Sequence, residues 1–337
     1  MLFVATLLVS IAIGDPPVPS WVIQPKATAA RLRGVSAPSV DVVWASGTQG
    51  TFARTIDGGK SWAAGQVPGG EGLDFRDVHA VDGGIAYLLS SGPGDESRIY
   101  KTLDGGASWR MQLTNPDQNG FLDAIAFFDA RRGLALGDPV DGRFQVFATT
   151  DGGEGWKRIP STGMPPALPA EGAFAASGTC LVTMGDRHAW FATGGASVSR
   201  VFRSEDAGLT WTAAETPVRA GNPSSGIFSL AFVDATRGFA IGGDYKSPEL
   251  PGPFLARTTD GGKSWSLLAD APRGYRSGLA VVKAGDGSIS CVAVGPGGSN
   301  RSWTDSARWS SESQEGFHAV DSVWAVGDSG RIAKLLP

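Results

Sequence analysis

Short apolar runs alternate with clusters of glycine and small polar residues along almost the whole chain, and no long run with helical period follows the N-terminus. The runs come in a fixed order. An apolar first strand, a tight turn and a second strand ending in glycine are followed by a loop, a third strand, a glycine-rich turn and a fourth strand opened by tryptophan. In the first unit these strands are expected at Leu32–Ser36, Val42–Ser46, Thr51–Arg54 and from Trp62 onward. In the third they are expected at Leu122–Phe128, Gly133–Leu136, Phe144–Ala148 and from Trp156, and in the fifth at Ile227–Val233, Gly238–Ile241, Phe254–Arg257 and from Trp265. Four short antiparallel strands per unit, repeated about every 50 residues, predict the blades of a β-propeller.

The turn before each fourth strand is nearly a copy of itself. It reads Thr258-Thr259-Asp260-Gly261-Gly262-Lys263-Ser264-Trp265, and the same octet carries Asp57 with Trp62, Asp104 with Trp109, Asp151 with Trp156, and Asp206 with Trp211. The aspartate is expected to accept hydrogen bonds from the N–H groups of its own turn, and the glycines to supply positive φ. The tryptophan brings a large apolar surface to anchor the next strand. The octet resembles the Asp-box of sialidases, sortilin-type receptors and photosystem II assembly-factor-like propellers. It predicts architecture, because unrelated activities share it.

The sixth unit has lost the octet, with Asp305 one residue too close to Trp309, and the seventh stops after a third strand near Leu335. A matching piece lies at the other end: Ser20-Trp21 resembles Ser61-Trp62. Strand 20–24 is therefore expected to complete blade seven, Trp21 taking the place of its octet tryptophan and closing the ring against an open sheet edge. The expected fold is all-β, a seven-bladed propeller over residues 15–337.

Leu2–Ile13 is apolar but too short to span a bilayer, and Ala12 and Gly14 suit a signal-peptidase site. Residues 1–14 are read as a signal peptide and the mature protein as periplasmic or secreted, monomeric and without a membrane span. No Cys follows the run, so a lipid anchor is not expected. Cys180 and Cys291 fall in units separated by a whole unit and read as buried apolar residues rather than a disulfide. A net charge of −4 offers no basic footprint for nucleic acid. His79, His188 and His318 lie in different blades without metal-ligand spacing, and no dinucleotide fingerprint is present, so neither metal nor cofactor is expected.

The strand order puts the first-to-second hairpins and the octet turns on one face. Residues that open the first strands then gather at the opposite mouth of the channel. They include Arg33, Asp74, Arg76, Asp123, Glu171, Tyr275, Arg276 and His318, joined by Asp138, Asp244 and Tyr245 from the loops after second strands. Gly172–Cys180 reads as a long first strand of small residues, with Glu171 at its start as the leading functional carboxylate. The loops at Pro165–Pro169 and Asp244–Pro253 lengthen the same face. Arg33, Arg76, Glu171, Asp138, Asp244, Tyr245, Arg276 and His318 are the candidate ligand-binding set.

Over Trp21 to the C-terminus the chain resembles the photosystem II stability and assembly-factor-like family, with Val323-Trp324-Ala325-Val326-Gly327 among the residues that carry the likeness. That resemblance implies a non-enzymatic binding or assembly scaffold for a protein segment at the channel mouth. The alternative is a glycan-active hydrolase. Sialidases use an arginine cluster, a Tyr–Glu nucleophile and an aspartic acid/base, and Glu171, Asp74, Asp123 and Tyr275 supply catalytic candidates of those types. The Arg-Ile-Pro opening of sialidases is missing, and seven units replace their six.

Overall fold

Seven antiparallel sheets stand in a ring in the computed structural model, which describes residues 18–283, 287–303, 308–310 and 313–336. The expected signal segment 1–14 and Asp305 lie outside the described residues. Blade one comprises Leu32–Ser36, Val43–Gly47, Thr51–Thr55 and Ala63–Gln66; blade two comprises Phe75–Ala80, Ala86–Ser90, Arg98–Thr102 and Arg110–Thr114. Blade three comprises Leu122–Phe127, Gly133–Val140, Arg143–Thr149 and Lys157–Arg158; blade four comprises Leu181–Met184, His188–Ala192, Ser199–Ser204 and Thr212–Thr216. Blade five comprises Ser225–Phe232, Gly238–Asp244, Leu255–Thr258 and Ser266–Leu267. Among the described residues blade six has three strands, Gly278–Lys283, Ile289–Gly295 and Gly298–Trp303, with bridges Ser299 to Ser313 and Ser302 to Trp309 in the place of the fourth. Its sequence lacks the octet that launches a fourth strand elsewhere.

Blade seven joins the two ends of the chain. Ala319–Asp321, Trp324–Val326 and Ile332–Leu335 are completed by Trp21–Ile23, with Trp21 opposite Leu335 and Ile23 opposite Ala333. The expected closure is the one observed.

Each octet turn is tied within itself and to its own blade. Asp260 Oδ1 accepts from the Ser264 N–H at 3.0 Å and Oδ2 from the Ser264 hydroxyl at 2.6 Å, while the Gly262 N–H donates to Thr258 Oγ1 at 2.8 Å. The Gly261 N–H donates to the Thr236 carbonyl in the first-to-second hairpin, and Gly58, Gly105 and Gly152 do the same to Asp41, Gly84 and Arg131. These bonds place both sets of turns on one face.

The octet tryptophans point the other way round the ring, each into the interface with the preceding blade. Trp62 meets Trp324 of blade seven, Trp109 meets Trp44 and Phe52 of blade one, and Trp156 meets Phe127 beside Tyr87 of blade two. Trp211 lies with Leu134 and Phe144 of blade three, Trp265 with Trp190 of blade four, and Trp309 with Leu255 and Leu268 of blade five. Trp21 does the same for blade seven, packing on Phe317 at 4.8 Å within a cluster that includes Val292 and Val294 of blade six. One aromatic wedge at every junction is what the repeat encodes.

The second glycine of the octet leans on the same neighbour. Gly153 has φ 83°, and a Cβ there would come within 2.7 Å of the Tyr87 ring, whose hydroxyl donates to the Gly152 carbonyl at 2.6 Å. Gly153→Ala should therefore lower the unfolding free energy by about 1–3 kcal/mol through strain and overpacking. Gly142→Ala is the control, since it shares the positive φ (74°) but has nothing within 4 Å. Equal urea midpoints for the two variants would show that the contact with Tyr87 contributes nothing.

Polar side chains of the first strands staple the ring from inside. The Ala37 N–H donates to Asp321 at 2.7 Å, that of Ala80 to Ser36 at 3.0 Å and that of Ile125 to Asp77 at 2.7 Å. Thr183 donates to the Phe127 carbonyl, the Leu279 N–H to Ser229, and Ser277 to the His318 carbonyl. The Thr179 and Ser229 hydroxyls, 2.6 Å apart, close the remaining junction between blades four and five. Backbone groups facing a narrow channel need such partners.

Burial raises Asp77 to about 7 despite the two N–H groups that favour its anion. A carboxyl raised on folding stabilises fully below its unfolded pKa, and that contribution is lost as pH rises through the folded value. The Asp77 contribution should thus fall with pH between 5 and 7, and Asp77→Asn should remove up to about 1.4 kcal/mol per pH unit of that downward slope. The octet carboxylates act oppositely. Hydrogen bonds from Ser61 and Ser108 hold Asp57 and Asp104 down at about 2, so their contribution is lost only as pH falls from near 4. Urea titrations at pH 5, 6 and 7 test the Asp77 assignment, and an unchanged slope in Asp77→Asn refutes it.

Cys180 and Cys291 are free and buried, in the interfaces between blades three and four and between five and six. The helical pieces among the described residues are three single 3-10 turns, so none is long and apolar enough to cross a membrane.

Candidate ligand pocket at the channel mouth

A repeated irregularity builds the pocket. In blades one, two, three and five the first strand slips register by one residue near the mouth. Leu32 and Gly34 pair with consecutive partners, leaving Arg33 out; Arg76, Asp123 and Phe228 are left out in the same way. A bulge re-aims its side chain, and all four of these residues line one cavity of about 610 Å³ on the face opposite the octet turns.

A plug crosses this mouth. Gly172–Cys180 was expected to be the first strand of blade four, but the strand is Leu181–Met184, and 173–180 is irregular. The segment spends its polar groups on other blades. The Ala173 N–H donates to Asp138 at 2.9 Å in blade three, the Ala175 carbonyl accepts from Arg33 at 3.4 Å in blade one, and Ser177 donates to the Ser277 carbonyl at 2.7 Å beside blade six. Phe174 stacks on Phe228 of blade five at 4.0 Å, and Gly178 lies against Asp77 of blade two. Small residues here permit close approach over the channel, rather than packing within a strand.

Three of the candidates do not line the cavity. Glu171 is fully buried in a salt bridge with Arg200, whose Nε donates at 2.8 Å and whose Nη2 also contacts the carboxylate. Thr193 and the Leu168 N–H fill its remaining positions. The leading carboxylate is thus a tie between the Pro165–Pro169 link and blade four. Arg276, 1% exposed, reaches into blade six, where Asn300 Oδ1 accepts from Nε and Nη2 at 3.0 and 2.7 Å. Asp244 is held by Asn222 and the Lys246 N–H, and does not line the cavity.

Arg33, Arg76, Asp123, Asp138, Tyr245, Tyr275 and His318 do converge there. Asp74 stands beside them, accepting from Arg76 Nε at 2.8 Å with Arg33 at 3.9 Å, so one carboxylate faces two guanidiniums. Burial first, and then the charge of Arg76, lowers Arg33 to about 10. His318 Nε2 lies 2.9 Å from Asp328, and burial lowers its pKa. Tyr275 is buried against Phe228, whereas Tyr245 is 47% exposed at the rim. Asp138 is raised by burial to about 6; Asp123 is raised first by burial and then by the charge of Asp138.

Sequence reasoning missed Arg31, Phe121, Phe174 and Phe228, which also line the cavity. Arg31 was legible as a second basic residue two positions from Arg33. The three phenylalanines were not, because bulge and plug geometry set their direction.

No family model matches the chain. Over 141 residues it is 28% identical to the photosystem II assembly lipoprotein Ycf48 of Synechococcus sp., a match spanning 42% of this chain and 36% of that protein. The solved structure of Ycf48 bound to D1 peptide superposes with a TM-score of 0.63 at 16% identity, covering 97% of this chain and all of the other. The structure of U3-55K gives 0.64 at 9% identity over 94% of this chain and 98% of its own. At such identities the two structural likenesses speak for the fold alone. The chain is a seven-bladed β-propeller that resembles the photosystem II assembly factor Ycf48 in sequence over that stretch and in fold along nearly its whole length.

Proposed function

We propose that this is an exported, non-enzymatic propeller that binds a segment of a partner protein in the mouth cavity, in an assembly role. Residues 1–14 serve as the signal and residues 15–337 as one monomeric, periplasmic or secreted domain. The observation that carries the reading is the convergence of Arg31, Arg33 and Arg76 beside exposed Tyr245. Asp74 pairs with Arg33 and Arg76 and Asp328 with Arg31, and a carboxylate of the segment supplies a further anion. The sequence likeness to Ycf48, and the D1 peptide that Ycf48 binds, support a peptide as occupant.

Fluorescence anisotropy with labelled D1-derived and unrelated peptides bearing a free terminal carboxylate tests this. Arg76→Ala should weaken the bound peptide at least about tenfold, roughly 1.4 kcal/mol. An unchanged Kd in Arg76→Ala and Arg33→Ala would overturn the reading. A glycoside hydrolase has less support, since Glu171 is occupied by Arg200 and Asp74 by two arginines. Turnover of chromogenic glycosides that is lost in Asp123→Asn would favour it.

A further inference from the structure

The bulge that sends Arg33 and Arg76 into the cavity sends Asp123 there too, and the environment of Asp123 is unusual. Its residue is 1% exposed, yet neither carboxylate oxygen has a hydrogen-bond partner. The N–H groups of Ala175 and Asp138 approach without closing a bond. Asp138, the second carboxylate of this wall, spends Oδ1 on the Ala173 N–H and packs against Gly172. The charge of Arg76 favours the Asp123 anion, but its Nε is committed to Asp74. Two neighbouring buried carboxyls with open acceptor positions are costly as anions unless a cation joins them. Every other carboxylate discussed at the mouth has partners: Glu171 has Arg200, Asp74 has Arg76, Asp244 has Asn222 and Asp328 has His318.

Resting on the reading of the cavity as a peptide site, we propose that Asp123 and Asp138 form a cation subsite that takes the ammonium or guanidinium of a lysine or arginine in the bound segment. The arginine wall holds the segment's carboxylate, and the aspartate wall holds its basic side chain. The site thus selects a segment that carries both charges a few residues apart. An acidic segment without the basic residue leaves the two aspartates without that partner.

An array of immobilised pentapeptides with four randomised C-terminal positions, made once with free carboxylates and once amidated, tests the proposal on the whole protein. The wild type should enrich Lys or Arg at one fixed position at least fivefold over norleucine, among peptides with a free carboxylate. Asp123→Asn should lose that enrichment while still requiring the carboxylate. Asp138→Asn is the second variant, and melting curves confirm that both fold. Binding that needs the carboxylate but shows no basic preference overturns the cation subsite and leaves the arginine site standing. A basic preference that survives in both variants also overturns it. Binding indifferent to amidation, or none at all, removes the peptide-site reading and the subsite with it.

Discussion

Replacing Trp21 with alanine should lower the unfolding free energy by about 3–5 kcal/mol, the range for an aromatic removed from a packed core. The indole is 8% exposed, lies 4.8 Å from Phe317 and donates from Nε1 to Ser299 at 2.9 Å. Alanine leaves a void between blades six and seven and strands the Ser299 hydroxyl. Deleting residues 18–24 should do more, because the strand paired with Ile332–Leu335 goes with the side chain and leaves that strand as an unprotected edge. Chemical denaturation of the point variant, and size-exclusion chromatography of the deletion for edge-driven association, provide the measurements. A deletion that melts with the full protein would show that the ring does not depend on this closure.

Loss of the Glu171 carboxylate should cost a comparable amount. Arg200 and Glu171 have side-chain exposures of 10% and 0%, so Glu171→Ala leaves a buried guanidinium with only the Pro166 carbonyl and the Phe202 ring nearby. Breaking one partner of such a pair costs about 3–5 kcal/mol, whereas replacing both with apolar residues of similar volume is often neutral. Glu171→Leu with Arg200→Met should accordingly recover most of the stability that either single change removes. The double-mutant cycle separates a structural tie from a ligand group. A carboxylate kept for binding would leave the melting temperature of Glu171→Ala near the wild type.

Much of the architecture was legible because its signals are local. The octet carries its own hydrogen-bond partners within a few residues, so five copies announce five turns and five anchors without any knowledge of the ring. The closure was legible by elimination, since Trp21 belonged to no unit and blade seven lacked its tryptophan. The site was only partly legible. Counting strands located the mouth and named Arg33, Arg76, Asp123 and His318, but a one-residue bulge decides which of two adjacent side chains enters the cavity. Direction also failed for Glu171 and Arg276, whose partners Arg200 and Asn300 lie 29 and 24 residues away in sequence. Gly172–Cys180 misled because a run of Ala, Ser and Gly suits a crowded strand and a crossing plug equally well.

The seam between Trp21–Ile23 and Ile332–Leu335 also sets an order of events. The piece synthesised early has no docking surface until the last third strand exists. The other six sheets assemble from neighbours in sequence, whereas the seventh waits for two distant strands to meet, a loop closure spanning all six of the others. Until then the nascent molecule carries a bare tryptophan at one end and an unsatisfied row of amides at the other. Such an intermediate is exposed to pairing with its neighbours at both places.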